Sequence, residues 1–145
     1  MKVVVQRVKK ASVYVSNEMI GSINHGFLLY IGIKKTDDLN IAEKVVHKIK
    51  KLRIFEDDQQ KMNLNLKQVG GSILAISQFT LYGDTKHNNR PSFVLAANHL
   101  EARPIYDYIV NQLKQDFHVE TGMFQEHMEV SSINDGPATI IIEID

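Results

Sequence analysis

The first quarter of the chain alternates apolar and polar positions. Val3, Val5 and Val8 alternate with polar neighbours, Val13 and Val15 do so again after a break at Lys10-Ala11, and EMIGSI adds a third short extended piece before Gly26. This pattern predicts an antiparallel meander. FLLYIGI, residues 27–33, is apolar on both faces and predicts a central strand. Ile41, Val45, Ile49 and Leu52 then recur at helical spacing behind Asp37 or Asp38, either of which suits a helix cap, so an amphipathic helix ending near Arg53 is expected. FEDDQQKMN has turn chemistry, and GGS at 70–72 breaks the chain again. Residues 73–82 predict another strand. A second helix, reaching about Phe117, places Ile105, Ile109, Val110, Leu113 and Phe117 on one side; Asn98 and Glu101 form a capping pair, and Pro104 sets the start of its regular part near itself. MEVSSI and ATIIIEI predict two closing strands joined through NDGP as a hairpin. The expected fold class is α+β, with mainly antiparallel β-sheets in a barrel-like arrangement and two packed helices. One domain spans residues 1–145, without linker or repeat.

The strand at 73–82 has an unusual end. Leu74, Ile76, Gln78, Thr80 and Tyr82 share one face in this reading, and Ile73, Ala75, Ser77, Phe79 and Leu81 the other. Both faces are apolar up to Ile76, after which Ser77, Gln78 and Thr80 introduce polar groups where backbone N–H groups can leave the ladder. Two interpretations fit: a binding pocket at the strand end, or hydroxyls that bond neighbouring backbone while Gln78 faces solvent.

Composition removes several chemistries. The absence of cysteine excludes disulfides, thiolate nucleophiles and cysteine-ligated metals, and a reducing cytoplasm is the expected location. Charges at Lys2, Arg7, Lys9 and Lys10 interrupt any signal-peptide core, and no stretch approaches the roughly 20 apolar residues that span a bilayer. Six histidines lie in separate segments without a ligating spacing, so no metal and no cofactor are expected. Gly70-Gly71 precedes an apolar strand instead of the helix that phosphate-cradling loops need. A hydroxyl nucleophile at Ser77 or Thr80 lacks a G-x-S-x-G elbow and a nearby base. Seventeen basic and 17 acidic side chains balance, so a nucleic-acid partner would need a local basic patch.

SQFTLYGDTKHNNRPSF together with NDGPAT resembles the paired signature of the D-aminoacyl-tRNA deacylases, a Ser-Gln-x-Thr strand and an Asn-x-Gly-Pro-x-Thr turn. The likeness extends over nearly the whole chain through VVVQRVKKASVYV, LRIFEDDQQKMN, VGG and VETG. Two positions depart from it: Gln125 stands after VETGMF where the family usually has glycine, and Ala138 replaces a more usual valine.

The resemblance implies hydrolysis of the ester joining a D-amino acid to the 3′ end of tRNA, and a site that excludes only an L side chain is expected to accept glycine as well. It also implies a homodimer with its sites at the subunit interface, Gly136 and Pro137 of one subunit reaching over the Ser77–Thr80 strand of the other. Ser77, Gln78, Phe79 and Thr80 would form the catalytic floor and Gly136-Pro137 the chiral selector. An activated ester needs positioning and oxyanion stabilisation more than a protein nucleophile. Lys44, Lys48 and Lys51 form a stripe that suits a solvated helix face, whereas Lys86 and Arg90, just after the site strand, are the better tRNA contacts. Arg90-Pro91-Ser92-Phe93 could equally shape an interface. A small-molecule esterase and a noncatalytic RNA-binding module are the competing readings.

Overall fold

A computed structural model describes all of residues 1–145. Its element order is β1 (Lys2–Val15), β2 (Glu18–Ile23), β3 (Gly26–Gly32), α1 (Leu39–Lys51), β4 (Arg53–Glu56), β5 (Met62–Asn65), β6 (Ser72–Ser77), a short 3-10 turn (Phe79–Tyr82), α2 (His99–Lys114), β7 (Val119–Thr121) and β8 (Glu129–Glu143). One sheet has the order β2-β1-β3-β6-β7, with β8 added along β1; β4 and β5 form a separate hairpin. Pairing is antiparallel except at β3–β6 and β6–β7, which are parallel. The sheet curls until β2 meets β7: a side chain on Gly21 of β2 would stand 3.0 Å from the Thr121 carbonyl. The result is a nearly closed barrel with two helices packed outside it.

The apolar positions explain this wrapping. Phe27, Leu29 and Ile31 of β3, with Ile73 and Ala75 of β6, face the larger core beneath the helices; Leu28, Leu74 and Ile76 face a smaller cluster with Val8, Val13 and Ile23 inside the barrel. Strands buried on both faces lack polar alternation. Asp38 caps α1, accepting from Ile41 N–H at 2.9 Å. Asp37 is buried instead and accepts from Lys34 N–H at 2.8 Å.

Four expectations need correction. β1 is one strand, and the break at Lys10-Ala11 marks its change of partner: residues 2–8 pair with β3 and residues 11–15 with β2, so the start is not a simple meander. β8 is likewise continuous and antiparallel to β1 throughout, so NDGP is not a hairpin. Between the pairs Gln6↔Thr139 and Val8↔Asn134, two steps of β1 face five steps of β8, and the surplus residues bulge outward. α2 starts at His99, before Pro104, because Asn98 and Glu101 complete a capping box that fixes its first turn. Finally, β6 ends at Ser77. Gln78 N–H makes a last bond to the Ile31 carbonyl at 2.8 Å, and then Leu81 N–H turns back to the Gln78 carbonyl at 3.3 Å. The alternation assumed for Gln78, Thr80 and Tyr82 therefore does not exist. Beyond these, the periodicity missed the short strands β4, β5 and β7.

Candidate functional site

The main cleft opens where the parallel sheet runs out. β7 pairs with β6 only as far as Ala75↔Thr121, after which its chain turns away through residues 122–126. From Ile76 onward, β6 has no neighbour on that side. The gap is a cleft of about 570 Å³, bounded by Ile76, Ser77, Gln78 and Phe79, by Ala97, Asn98, His99 and Ala102 at the start of α2, and by residues 124–128 with Val130. Its lining mixes apolar and polar residues in about equal number, as suits a site that holds a ligand by shape and orients it with polar groups.

Three of the four motif residues line this cleft, and Thr80 adjoins them. Ser77 and Gln78 are half-buried, while Phe79 and Thr80 are exposed. The Gln78 carboxamide donates to the Thr80 hydroxyl, so the two side chains act as one group. Phe79 and Thr80 open the 3-10 turn, and neither N–H donates to a backbone carbonyl. Gly32 makes room for this turn: a Cβ there would stand 2.9 Å from the Leu81 Cβ and 3.1 Å from the Gln78 carbonyl. From below, the buried Tyr106 hydroxyl donates to the Ala75 carbonyl at 2.8 Å. Burial, reinforced by Asp107, raises the Tyr106 pKa above the ordinary tyrosine range, so this hydroxyl is a fixed neutral donor.

Gly136 and Pro137 do not line the cleft of their own chain. They occupy the exposed bulge of β8, joined by a cis peptide bond, with Gly136 at φ +122°. Arg7 holds this bulge. Its Nη1 donates to the Ile54 carbonyl at 2.7 Å and its Nε to the Asp135 carbonyl at 3.1 Å, with the side chain almost wholly buried. A Cβ on Gly136 would lie 2.7 Å from Arg7 Nη2. Sequence reading passed over Arg7 as one more basic residue. The available signal was its parity: it falls in phase with the buried Val3 and Val5.

Lys86 and Arg90 lie on the exposed 83–92 loop, closed by paired bonds of 2.8 and 2.9 Å between Asp84 and Ser92. Neither side chain has an ion-pair partner. The loop is seated beside the cleft by Phe93, whose ring meets Phe79 edge-on at 5.1 Å.

Gln125 is a second residue whose placement sequence could not give. It lies on the cleft wall with φ +68°, in the left-handed region that favours glycine.

The family model described as D-Tyr-tRNA(Tyr) deacylase matches residues 4–143. A D-aminoacyl-tRNA deacylase from Chloroherpeton thalassium is 53% identical over 145 residues, covering 99% of this chain and 95% of the relative. One from Lactobacillus gasseri is 49% identical, covering 99% of this chain and 100% of the relative. A solved structure described as c-Myc DNA Unwinding Element Binding Protein superposes with a TM-score of 0.95 at 37% identity, over 100% of this chain and 99% of that one.

Proposed function

This chain belongs to the D-Tyr-tRNA(Tyr) deacylase family, and from that premise we propose that it is a D-aminoacyl-tRNA deacylase, a hydrolase whose strand-end cleft receives the aminoacyl-adenosine terminus of tRNA. The observation that carries this reading is the end of β6: a cleft lined by Ser77, Gln78 and Phe79, with the N–H groups of Phe79 and Thr80 free of backbone partners. An aminoacyl ester is already activated, so two donors aimed at the developing oxyanion lower the barrier without a protein nucleophile. Water adds to the ester carbonyl carbon, the ribose 2′-OH assists proton transfer, and the 3′ oxygen leaves with a proton. Gln78, braced by Thr80, orients the adenosine. Thr80→Ala should accordingly keep most of the turnover, because its hydroxyl supports Gln78 and forms no covalent bond to substrate.

Chiral selection comes from the bulge. The Gly136-Pro137 carbonyls of one subunit hold the substrate α-ammonium in the other subunit's cleft and fill the volume an L side chain would need. Glycine has no side chain to clash, so glycyl-tRNA is also a substrate. Support for a homodimer is the exposed apolar surface around the cleft, including Phe79, Phe93, Val94, Leu95 and Leu100, the last 75% exposed. Further support is the position of Gly136 and Pro137 outside their own cleft. Lys86 and Arg90, unpaired on the exposed loop that leads into Phe93, would contact tRNA phosphates.

The deciding experiment compares release of D-tyrosine and L-tyrosine from charged tRNA, with the free D-tyrosine ester as a third substrate. Release from D-Tyr-tRNA alone supports chiral proofreading. Equal release of both enantiomers, or hydrolysis only of the free ester, defeats it. Mixing a Gln78→Ala subunit with an Arg7→Met subunit tests the shared site. Under the cross-subunit arrangement, mixed dimers should be more active than either homodimer, since one of their two sites combines an intact Gln78 with an intact bulge.

A further inference from the structure

Left-handed backbone at a residue with a side chain costs about 1–2 kcal/mol, so it calls for a return. Four non-glycine residues have positive φ: Ser16, Asn17, Gln60 and Gln125. Ser16 and Asn17 are the two central residues of the β1–β2 hairpin, whose favoured turn requires positive φ at both positions. At Gln60 the fold itself supplies the return. Gln60 N–H donates to the Asp57 carbonyl at 2.9 Å, and the Asp57 carboxylate accepts from Gln59 N–H at 2.8 Å, Lys61 N–H at 3.1 Å and Asn63 Nδ2 at 3.1 Å. Around Gln125 the turn is closed by one long bond, Glu126 N–H to the Met123 carbonyl at 3.3 Å, and the exposed Gln125 side chain makes no hydrogen bond. Glycine would make this turn more easily, since the third position of such a turn favours it.

What Gln125 does have is a place on the cleft wall beside a pinned aromatic ring. Phe124, also a cleft residue, lies with its ring 5.7 Å from that of Tyr106 and 5.2 Å from the Arg103 guanidinium, which fixes it against α2. A fixed ring next to a free carboxamide is the combination that recognises an unstacked base: the ring has a second face opposite the one Arg103 covers, and the carboxamide offers a donor and an acceptor together. Adenine matches that pair, with its 6-amino group as donor and N7 as acceptor. The amino acid varies among substrates, whereas the terminal base does not, so a polar side chain carried at a set place on the cleft wall is suited to the base.

We propose that Gln125 is a specificity-determining residue whose carboxamide reads the adenine base at the 3′ end of the RNA, with the Phe124 ring as its platform. This rests on the deacylase reading for the ligand's identity. The test is binding of the intact protein to two uncharged acceptor-stem RNA minihelices that differ only at the 3′ nucleoside, adenosine or purine riboside, which lacks the 6-amino group. The wild type should bind the adenosine form about tenfold more tightly, the discrimination of one modest base contact. Gln125→Gly and Gln125→Asn should bring that ratio close to one. Both replacements suit left-handed backbone, so melting temperatures should be unchanged or raised, and Asn keeps the amide but falls one methylene short. On charged tRNA, both variants should raise KM several-fold with kcat little changed.

A wild-type ratio near one, a ratio that survives in Gln125→Gly, or no binding of either RNA overturns the inference. So does a fall of several degrees in the melting temperature of Gln125→Gly, which would mean the side chain serves the fold. Turnover separates this from the parent reading. Hydrolysis of D-Tyr-tRNA without base discrimination rejects only the role of Gln125, whereas Gln125-dependent discrimination without turnover rejects only the deacylase.

Discussion

Replacing Arg7 with Met isolates what the buried guanidinium does, because Met fills most of the same volume without charge or donors. The side chain is 5% exposed on the buried face of β1. Its loss removes one bond to the Ile54 carbonyl at 2.7 Å and one to the Asp135 carbonyl at 3.1 Å, together with the ion pair to the Asp135 carboxylate at 3.6 Å. Hydrogen bonds to a charged group contribute about 1.5–3 kcal/mol each, giving a gross loss of about 3–6 kcal/mol. Removing a buried charge returns part of its desolvation cost, so the net should be about 3 kcal/mol. For a chain of this size, that lowers the melting temperature by about 6–12 °C, measurable by thermal or urea unfolding. Activity should fall further than stability explains, even at temperatures where the variant is fully folded, because the bulge carrying Gly136 loses its inner support. Turnover of D-Tyr-tRNA under those conditions is the second assay. A variant within about 0.5 kcal/mol of wild type with full turnover would refute the claim that Arg7 holds the bulge.

Other perturbations follow from single contacts. Tyr106→Phe should cost about 1 kcal/mol, seen as a melting shift of about 2–4 °C, since the Ala75 carbonyl loses its 2.8 Å donor. Gly32→Ala should push the 3-10 turn off β3, lowering kcat about tenfold or more and costing about 1–3 kcal/mol of stability, given the 2.9 Å approach to Leu81. Absorbance titration of the folded protein should find the phenolates of Tyr30, Tyr82 and Tyr106 only above the ordinary tyrosine range, burial being the first cause in each case. Unfolded tyrosines release protons from about pH 10 while these three retain theirs, so stability is full below that pH and falls as pH rises above it.

Local periodicity carried the fold as far as local physics decides it. Helix α1 could be read from its stripe and α2 from its capping pair, because caps and 3.6-residue spacing are properties of the segment itself. β3 and β6 were legible because burial on both faces leaves continuous apolar runs. What could not be read depends on a distant partner. The continuity of β1 follows from its exchange of β3 for β2, and that of β8 from a ladder with β1 that resumes beyond the bulge. Asp-Gly-Pro is locally a turn, and only that ladder makes it a protrusion. β7 has three residues and is held by β6, so no window contains its signal. The motif segments Ser77–Thr80 and 134–139 were found by resemblance, while the cleft beside Ser77 arises from where two strands stop.

The two motifs also differ in how they are supported, and that difference bears on the proposed sharing of the site between two subunits. The Ser77–Thr80 segment needs little help: a strand end, a glycine beneath it and a buried tyrosine hydroxyl behind it. The Gly136-Pro137 bulge is exposed, yet a buried guanidinium holds its base. Burying that charge costs several kcal/mol before its hydrogen bonds offset it, an expensive way to brace a loop that touches only water. A surface loop free of load could be fixed by any short turn. Rigidity of this kind is useful where the loop must present main-chain atoms to something that presses against it. The exposed apolar rings next to the cleft, Phe79 and Phe93, are surfaces for another molecule to cover. In the proposed homodimer a second copy would supply both needs at once, its bulge entering a cleft that Gly136 and Pro137 do not line in their own chain. Stereochemical discrimination would then depend on one buried arginine per subunit as much as on the residues that meet the substrate.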